Sequence, residues 1–365
     1  MKITGKLETP AIMEDFNYKN YLLKDHIYSV MTFPKIELID RHPMSISSIF
    51  YSEVLFLKQK LRETIRRNFL PPEDSIMEAM LLGDSGQLSE DLKNKLNITG
   101  LRHIIAVSGT HVIILSAILM SLFLSVGLWR SQAFYFSIVL IFFYIILTGL
   151  SASGIRAGIM GGLYLTAQKL GRQSIGPRPV AIAGAAMLGF NPLLLFYDIG
   201  FQLSFLAVIG LIYLDPVIKF FLKSKWKKIL KNKGNSGKEN NFISTVSATF
   251  AAQVFTLPVI MFNFGNISFV SPITNMLVLP IVYLLMVFGF LSAALGAVSL
   301  LLGLIFSIPC QFFLFYFIKI TDIFSGPWAV KTISNISWVW LAVSYLLIAV
   351  TVRFLNKILI KSRYF

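Results

Sequence analysis

The chain has 365 residues, 55% hydrophobic and only 14% charged, with a formal net charge of +15 and a single cysteine. Soluble domains average about 45–50% apolar residues, so a single water-soluble globule is excluded, and one cysteine excludes a disulfide framework. Residues 1–100 carry 13 Lys/Arg and 14 Asp/Glu, whereas residues 101–365 carry 20 Lys/Arg and only four acids, Asp198, Asp215, Glu239 and Asp322. A polar segment therefore precedes a membrane domain, and the break falls near Gly100.

In chain order, Leu22–Leu23 and residues 27–39 mix β-branched, aromatic and polar side chains and read as short strands. Residues 46–69 read as an amphipathic helix, apolar at Ile49, Phe50, Leu55, Phe56, Leu57, Leu61 and Ile65, and stopped by Pro71-Pro72. A second helix is expected from near Asp74 to Gly83, and a short third one over residues 89–96.

Beyond Gly100, a membrane span needs about 20 apolar residues. Candidate spans cover residues 103–128, 132–150, 156–170, 179–196, 201–222 and 242–261. The long apolar run 268–318 contains Pro272 and Pro280. It divides into a half-helix at 268–279 and spans at 280–302 and 304–323, with a boundary near Gly303. A last span covers 337–353. The fold class is thus an all-α polytopic membrane protein of about nine transmembrane helices plus a re-entrant half-helix. A small β-containing segment and an amphipathic helix stand before it.

Basic residues orient such spans, because Lys and Arg accumulate on the cytoplasmic side. Arg130, the group Lys169, Arg172 and Arg178, the seven lysines between positions 223 and 238, and the group Arg353, Lys357, Lys361 and Arg363 all fall on one side of a nine-pass topology. That side is the cytoplasm. Residues 1–100 then lie outside and the C-terminus inside.

Polar groups at bilayer depth are costly and face a cavity or a partner. Here they are His103, Ser108 and His111 in the first span, Ser153 and Arg156 at the third, Asp198 and Gln202 at the fifth, Gln253 in the sixth and Asn275 in the half-helix. His111 lies about 12 Å deeper than His103 at the helical rise, and Asp198 and Gln202 share a face at i, i+4. The topology puts all of them in the outer half of the membrane. One water-filled vestibule open to the exterior accounts for the set, with interhelical hydrogen bonding as the competing reading. Ser108-Gly109 interrupts the first span, and Gly149, Gly154 and Gly158 flank Arg156. Irregular backbone of this kind is tolerated where it lines water or is buried in protein. Two histidines on one helix are too few ligands for a metal, and no cofactor motif occurs.

The string His103-Ile-Ile-Ala-Val-Ser108-Gly109-Thr-His111-Val112 resembles the signature of the ComEC competence-protein family. Gly149-Leu-Ser-Ala-Ser153-Gly-Ile-Arg156-Ala157 is similar to that family's second motif, and Asp198-Ile-Gly200-Phe201-Gln202-Leu-Ser204-Phe205 to its third. Gln253 to Pro258, then Ser271-Pro272 with Asn275, look like its later pattern. Leu81-Leu82-Gly83-Asp84 matches the run before the first motif. Phe16-Asn17-Tyr18 with Tyr21-Leu22 resembles the end of the family's extracellular OB-type domain. Thr110 stands where the family usually has Leu, and Asn17 where Asp is common.

The resemblance implies a membrane channel that imports single-stranded transforming DNA across the bacterial cytoplasmic membrane, and not an enzyme. It divides the chain into a partial OB-like extracellular segment (1–45), an amphipathic helical linker (46–100), a transmembrane competence domain (101–354) and a basic cytoplasmic tail (355–365). The metallo-β-lactamase-like domain of many members is not expected here, since no His-x-His-x-Asp-His string occurs, so the chain reads as a short form. Implied partners are single-stranded DNA, the lipid bilayer, a DNA receptor outside, and a cytoplasmic translocase or single-strand-binding proteins. A separately encoded nuclease is a further implied partner.

On this reading Arg102 and Arg156 contact phosphates, with His103 and His111 as donors. Phe201 and Phe205 stack bases, and the lysine-rich loop 223–238 meets the strand at its exit. An inside-negative potential opposes anion entry by about 2.3 kcal/mol per charge per 100 mV. The chain has no G-x-x-x-x-G-K-[ST] loop, so the motor lies elsewhere.

Two alternatives stand beside this. A secondary transporter of a small anion would use broken helices around a midplane site. An intramembrane hydrolase would use Ser108 and His111; against it, two groups on one helix turn are not expected to reach nucleophile–base geometry.

Overall fold

The structure is a computed structural model that describes residues 2–10, 18–37, 46–150, 152–169, 177–229, 237–333 and 336–363. Phe16, Asn17, Arg172, Lys231 and Lys233, and with them part of the expected OB-like segment and of the lysine-rich loop, lie outside the described residues.

The N-terminal part holds β1 (Lys2–Thr4), β2 (Leu7–Glu8), α1 (Tyr18–Leu23), β3 (Val30–Met31) and β4 (Lys35–Glu37). β1 pairs antiparallel with β4, Ile3 opposite Ile36, and β2 with β3, Leu7 opposite Met31. The strands expected within 27–39 are present, but Leu22–Leu23 close a helix instead of forming a strand. Lys24, just past this helix, docks on Asp198 and Asn191 far along the chain.

Next come α2 (Ile46–Asn68), α3 (Glu73–Leu82) and α4 (Glu90–Thr99). Glu73 and Asp74 occupy the first turn of α3, and Glu90 and Asp91 that of α4, where carboxylates complement the helix dipole. Ser89 caps α4 by accepting from the Leu92 amide at 3.3 Å. Gly83 and Gly100 end the two helices with φ of 78° and 72°, a conformation that favours glycine.

The membrane part comprises α5 (Arg102–Ile105), α6 (Gly109–Ser125), α7 (Arg130–Leu147), α8 (Ala152–Lys169), α9 (Pro177–Phe190), α10 (Leu194–Tyr197), α11 (Ile199–Tyr213) and α12 (Asp215–Ile229). It continues with α13 (Gly237–Phe264), β5 (Asn266–Ser268), α14 (Ser271–Gly296), α15 (Leu300–Phe324), β6 (Val330–Thr332) and α16 (Trp338–Arg363). The antiparallel β5–β6 pair, with Ile267 opposite Lys331, ties the end of α13 to the start of α16.

Among the described residues five helices (α7, α13, α14, α15 and α16) are long and apolar enough to cross a membrane. A sixth is counted if α11 and α12, bent by 43° at Leu214, form one span. The expected nine are not reached on length and composition: α6 is apolar but short, and α8 carries Arg156 and a glycine-rich middle. The bend in the fifth span was not anticipated, although Asp215-Pro216 is a helix-start signal.

The expected re-entrant half-helix is overturned. α14 runs unbroken from Ser271 to Gly296 straight through Pro280. Proline removes one amide donor, but packing of the helix on its neighbours outweighs that local cost. Merging the half-helix with the span that follows does not alter the expected number of crossings. Gly303 is likewise inside α15, not at the turn. A Cβ on Gly303 would stand 2.7 Å from the Gly296 Cα, so these glycines mark the closest approach of α14 and α15.

The main core joins α3 to α14 and α15. Ile76, Met77, Met80 and Leu81 of α3 are fully buried with Leu285 and Met286 of α14 and Cys310, Leu314 and Phe317 of α15. Gly289 of α14 lets α3 in, since a Cβ there would meet the Met77 methyl at 2.2 Å. α2 adds Val54 and Ile65, and Phe69 just past its end joins them, whereas Ile49, Phe50, Leu55 and Phe56, expected on its buried face, are exposed. α14 is tied to the preceding helices near both ends. Toward its C-terminal end, the Asn68 amide at the end of α2 donates to Ser292 Oγ at 3.3 Å, and Gln311 of α15 donates to the Asn68 carbonyl at 2.8 Å. Around its N-terminus, Ser268 and Thr274 donate to the carbonyls of Ile98 and Thr99 in α4 at 2.6 and 2.7 Å.

Candidate functional site

The expected interruption of the first span is present: α5 ends at Ile105, residues 106–108 are non-helical, and α6 restarts at Gly109. Ser108 is the N-cap of α6 and His111 its third residue. The Ser108 amide donates to His111 Nδ1 at 3.1 Å, and Ser108 Oγ lies 2.9 Å from the same nitrogen. An Nδ1 that accepts an amide N–H carries no proton of its own in the neutral ring, so the proton sits on Nε2. That Nε2 is buried with no hydrogen-bond partner, in a side chain only 1% exposed. His103 is exposed, and its Nδ1 lies 2.9 Å from the Gly100 carbonyl. His103, Ser108 and His111 line one cleft of about 30 Å³ with Ile104, Leu279 and Val282, enough for a water molecule.

A second group adjoins the first. Gln253 of α13 donates to Ser271 Oγ at 2.8 Å, and Asn275 donates to the same oxygen at 3.2 Å. Ser271 abuts Gly100, the residue whose carbonyl faces His103. Asn275 shares one face of α14 with the cleft residues Leu279 and Val282, at i, i+4 and i+7. Its Oδ1 is buried without a partner. Ser271 is thus the hub of a knot linking α13, α14 and the α4–α5 turn. Sequence reasoning placed Ser271 in a motif but not among the site residues.

The third group stands on α8 and α11. Asp198 caps α11, its Oδ1 accepting from the Phe201 amide at 2.9 Å, and its Oδ2 lies 3.6 Å from Lys24 Nζ. Asn191 also donates to the Lys24 carbonyl at 2.7 Å, so the N-terminal segment is held at this corner twice. Arg156 is 5% exposed, and its Nε and Nη1 have no hydrogen-bond partner. Ser153 sits half-buried on the first turn of α8, three residues before it. Gln202 donates to the carbonyls of Leu195 and Phe196 at 2.8 and 3.4 Å, so it fastens α10 to α11.

The predicted residues are therefore gathered into two neighbouring groups and a third across α8. α8 packs on α6 where Gly161 faces Val112, with 3.2 Å left for a Cβ. None of Arg156, Asp198, Gln202, Gln253 and Asn275 lines the His103–His111 cleft. Phe201, expected to stack bases, is buried and lies against Phe205 with ring centroids 4.4 Å apart. Ser108 and His111, expected on one helix turn not to reach nucleophile–base geometry, do come within hydrogen-bond distance at 2.9 Å. The non-helical N-cap swings the serine back over the ring. Sequence reasoning also missed Tyr144 of α7, whose hydroxyl is buried without a partner beside Val107 and Phe290. A tyrosine in an apolar run gives no polar signal. Among the described residues no three His, Cys, Asp or Glu side chains gather as a metal site.

Comparison with known proteins bears on this arrangement. The Competence protein family model matches residues 80–357. The chain is 28% identical over 343 residues to "ComE operon protein 3" of Bacillus subtilis (strain 168), an alignment covering 92% of this chain and 39% of that protein. The chain thus spans about two fifths of that relative's length. No solved structure matches. The family match takes in the α5–α6 break, Arg156, the Asp198 cap and the Gln253–Ser271–Asn275 knot, and the chain belongs to the Competence protein family.

Proposed function

We propose that the protein is a conduit that imports single-stranded DNA across the bacterial cytoplasmic membrane. The passes are α5–α6, α7, α8, α9, α11–α12, α13, α14, α15 and α16, with the N-terminal segment outside and the basic C-terminal tail in the cytoplasm. The chain acts as a passive path and not as an enzyme. A receptor outside delivers the strand, and a translocase or single-strand-binding proteins inside retain it against the membrane potential. Degradation of the opposite strand falls to a nuclease acting alongside it.

One observation carries the reading. In a molecule this apolar, His111 Nε2, Asn275 Oδ1 and Arg156 Nε and Nη1 are buried with no internal hydrogen-bond partner. Each such group costs about 1–3 kcal/mol, and a charged one more. A fold retains them where water or a passing polar substrate meets them. Membership of the Competence protein family supports DNA as that substrate. The test is uptake of labelled DNA by cells carrying His111→Ala or Arg156→Ala, with membrane insertion verified. Uptake at least tenfold lower is expected in each; wild-type uptake in both rejects the proposal.

The Ser108–His111 distance of 2.9 Å favours a second reading, an intramembrane serine hydrolase. Against it, Nδ1 already accepts the Ser108 amide and Nε2 has no carboxylate to orient the ring, unlike a working triad. Covalent labelling of Ser108 by a fluorophosphonate would establish this reading in place of the first.

A further inference from the structure

We infer that the N-terminus of α11, together with Arg156, is a built subsite for one phosphoryl group, and that Asp198 is the internal anion competing for it. The inference rests on the conduit reading for its occupant, a phosphate of the DNA backbone. Its geometry stands independently.

A Cβ placed on Gly200 would stand 3.9 Å from both Arg156 Nη1 and Nη2 and 3.0 Å from Asp198 Oδ1. The guanidinium edge therefore stands at contact distance from the second residue of α11, where a glycine adds no side chain and a Cβ would crowd the Asp198 carboxylate. Arg156 is 95% buried, from its 5% exposure, and two of its three nitrogens are unpartnered. α11 is 15 residues long, so its first turn presents amide donors and the positive end of a helix dipole. Asp198 Oδ1 takes the Phe201 amide, and Gln202 bonds the Asp198 carbonyl. The amides of Ile199 and Gly200 precede these in the turn. Gly200 itself is exposed, so the position opens outward. Guanidinium fork, helix-start amides and a glycine gap together match a tetrahedral anion.

Asp198 sits in this corner without closing an ion pair with Arg156: its Oδ2 has no hydrogen bond and faces Lys24 at 3.6 Å. The resting carboxylate thus lies between two cations, one of them on the N-terminal segment. An incoming phosphate takes Arg156 and the amides and leaves Asp198 to Lys24. The subsite is therefore occupied by exchange, which suits a strand that must move on.

The same phosphoryl chemistry is offered by a lipid headgroup, so the experiment separates the two. The full chain in maltoside is titrated with inorganic pyrophosphate by calorimetry and with a labelled oligothymidylate by anisotropy at several salt concentrations. Arg156→Gln is expected to weaken pyrophosphate at least tenfold. It should also lower the salt slope for the oligonucleotide by about 0.7, one phosphate contact on a single strand. Gly200→Ala should weaken pyrophosphate without changing charge. Asp198→Asn, which can still cap α11, should tighten it about tenfold by removing the competitor; a merely structural role predicts no gain.

Absence of pyrophosphate binding, indifference to Arg156→Gln, or no tightening in Asp198→Asn overturns the subsite. Pyrophosphate binding with this variant pattern but no oligonucleotide binding keeps the subsite and defeats the conduit reading. Oligonucleotide binding whose salt slope ignores Arg156 does the reverse. Loss of pyrophosphate binding on transfer to phosphatidylglycerol nanodiscs, with the variant pattern intact in maltoside, keeps the subsite and assigns it to a lipid headgroup.

Discussion

Gly100 is where the outer polar groups are tied to the packed core, and its replacement by alanine tests that tie. Gly100 ends α4 with φ of 72°, which costs an L-residue roughly 1–2 kcal/mol. A Cβ there would stand 2.3 Å from Ser271 Oγ and 2.6 Å from its Cβ. Ser271 cannot simply swing away, because Oγ accepts from both Gln253 and Asn275 and α14 is pinned at Thr274 to the Thr99 carbonyl. Overpacking of this kind costs about 1–3 kcal/mol, so Gly100→Ala should destabilise the fold by about 2–5 kcal/mol. Thermal unfolding in detergent, followed by loss of a folded-state fluorescence signal, should show a midpoint several degrees lower. Gly100→Ala/Ser271→Gly removes the clash and keeps the strained φ, so it should recover stability relative to Gly100→Ala alone, apart from the lost Ser271 bonds. A single variant within about 0.5 kcal/mol of wild type, the range of an ordinary surface change, would refute the close approach. A double variant as unstable as the sum of the two single variants would refute the assignment of the cost to Ser271.

Other variants probe the α2–α3 hairpin and its attachment. Glu78 is fully buried and bonded to Arg66 at 2.5 Å, with Arg62 Nε at 3.6 Å. Arg66→Ala should cost about 2–3 kcal/mol in denaturant titration, and Arg66→Ala/Glu78→Leu should regain most of it by removing the stranded carboxylate. Burial pushes the Asp84 carboxyl up, but bonds from Lys58 and Arg62 outweigh it and hold it below its ordinary value. A depressed carboxyl contributes stability above its unfolded pKa of about 3.9 and loses it as pH falls through the lower folded value. The midpoint advantage of wild type over Asp84→Asn should therefore be flat from neutral pH to about pH 5 and close below about pH 4. Thr274→Val should cost about 1 kcal/mol through the lost bond to the Thr99 carbonyl, measured in the same titration.

What the sequence disclosed followed from the cost of polar atoms in an apolar chain. The α5–α6 break was legible because Ser108-Gly109 is a capping pair set inside an apolar run, and Arg156 because a guanidinium in such a run is rare. The packing of α3 was not legible. Lys58, Arg62 and Arg66 are consumed by Glu78 and Asp84 on one side of the hairpin. The composition of residues 46–100 therefore looks solvated, while Ile76, Met77, Met80 and Leu81 pass into the core. The continuity of α14 was hidden because proline's local penalty is visible in a sequence and the packing that overrides it is not. Lys24 could not be connected to Asp198, since no local pattern reports a contact between residues so far apart in the chain.

The choice between a wet cavity and interhelical bonding cannot be made for the polar residues as a class, because hydropathy counts atoms and not their partners. The structure divides them one by one. Gln202 spends its donors on the Leu195 and Phe196 carbonyls, and Gln253 spends its amide on Ser271; these two fasten helices. His111, Asn275 and Arg156 each make or approach one internal contact and keep another polar atom buried and unmatched. Loss of a residue that only fastens helices costs stability through its stranded partners and removes nothing that a substrate meets. Gln202→Leu should therefore leave transport intact if α10 stays seated, whereas His111→Leu should abolish it even in a protein that folds as well as wild type. Equal transport defects in both, at equal stability, would mean that this division by hydrogen-bond partner has no functional content.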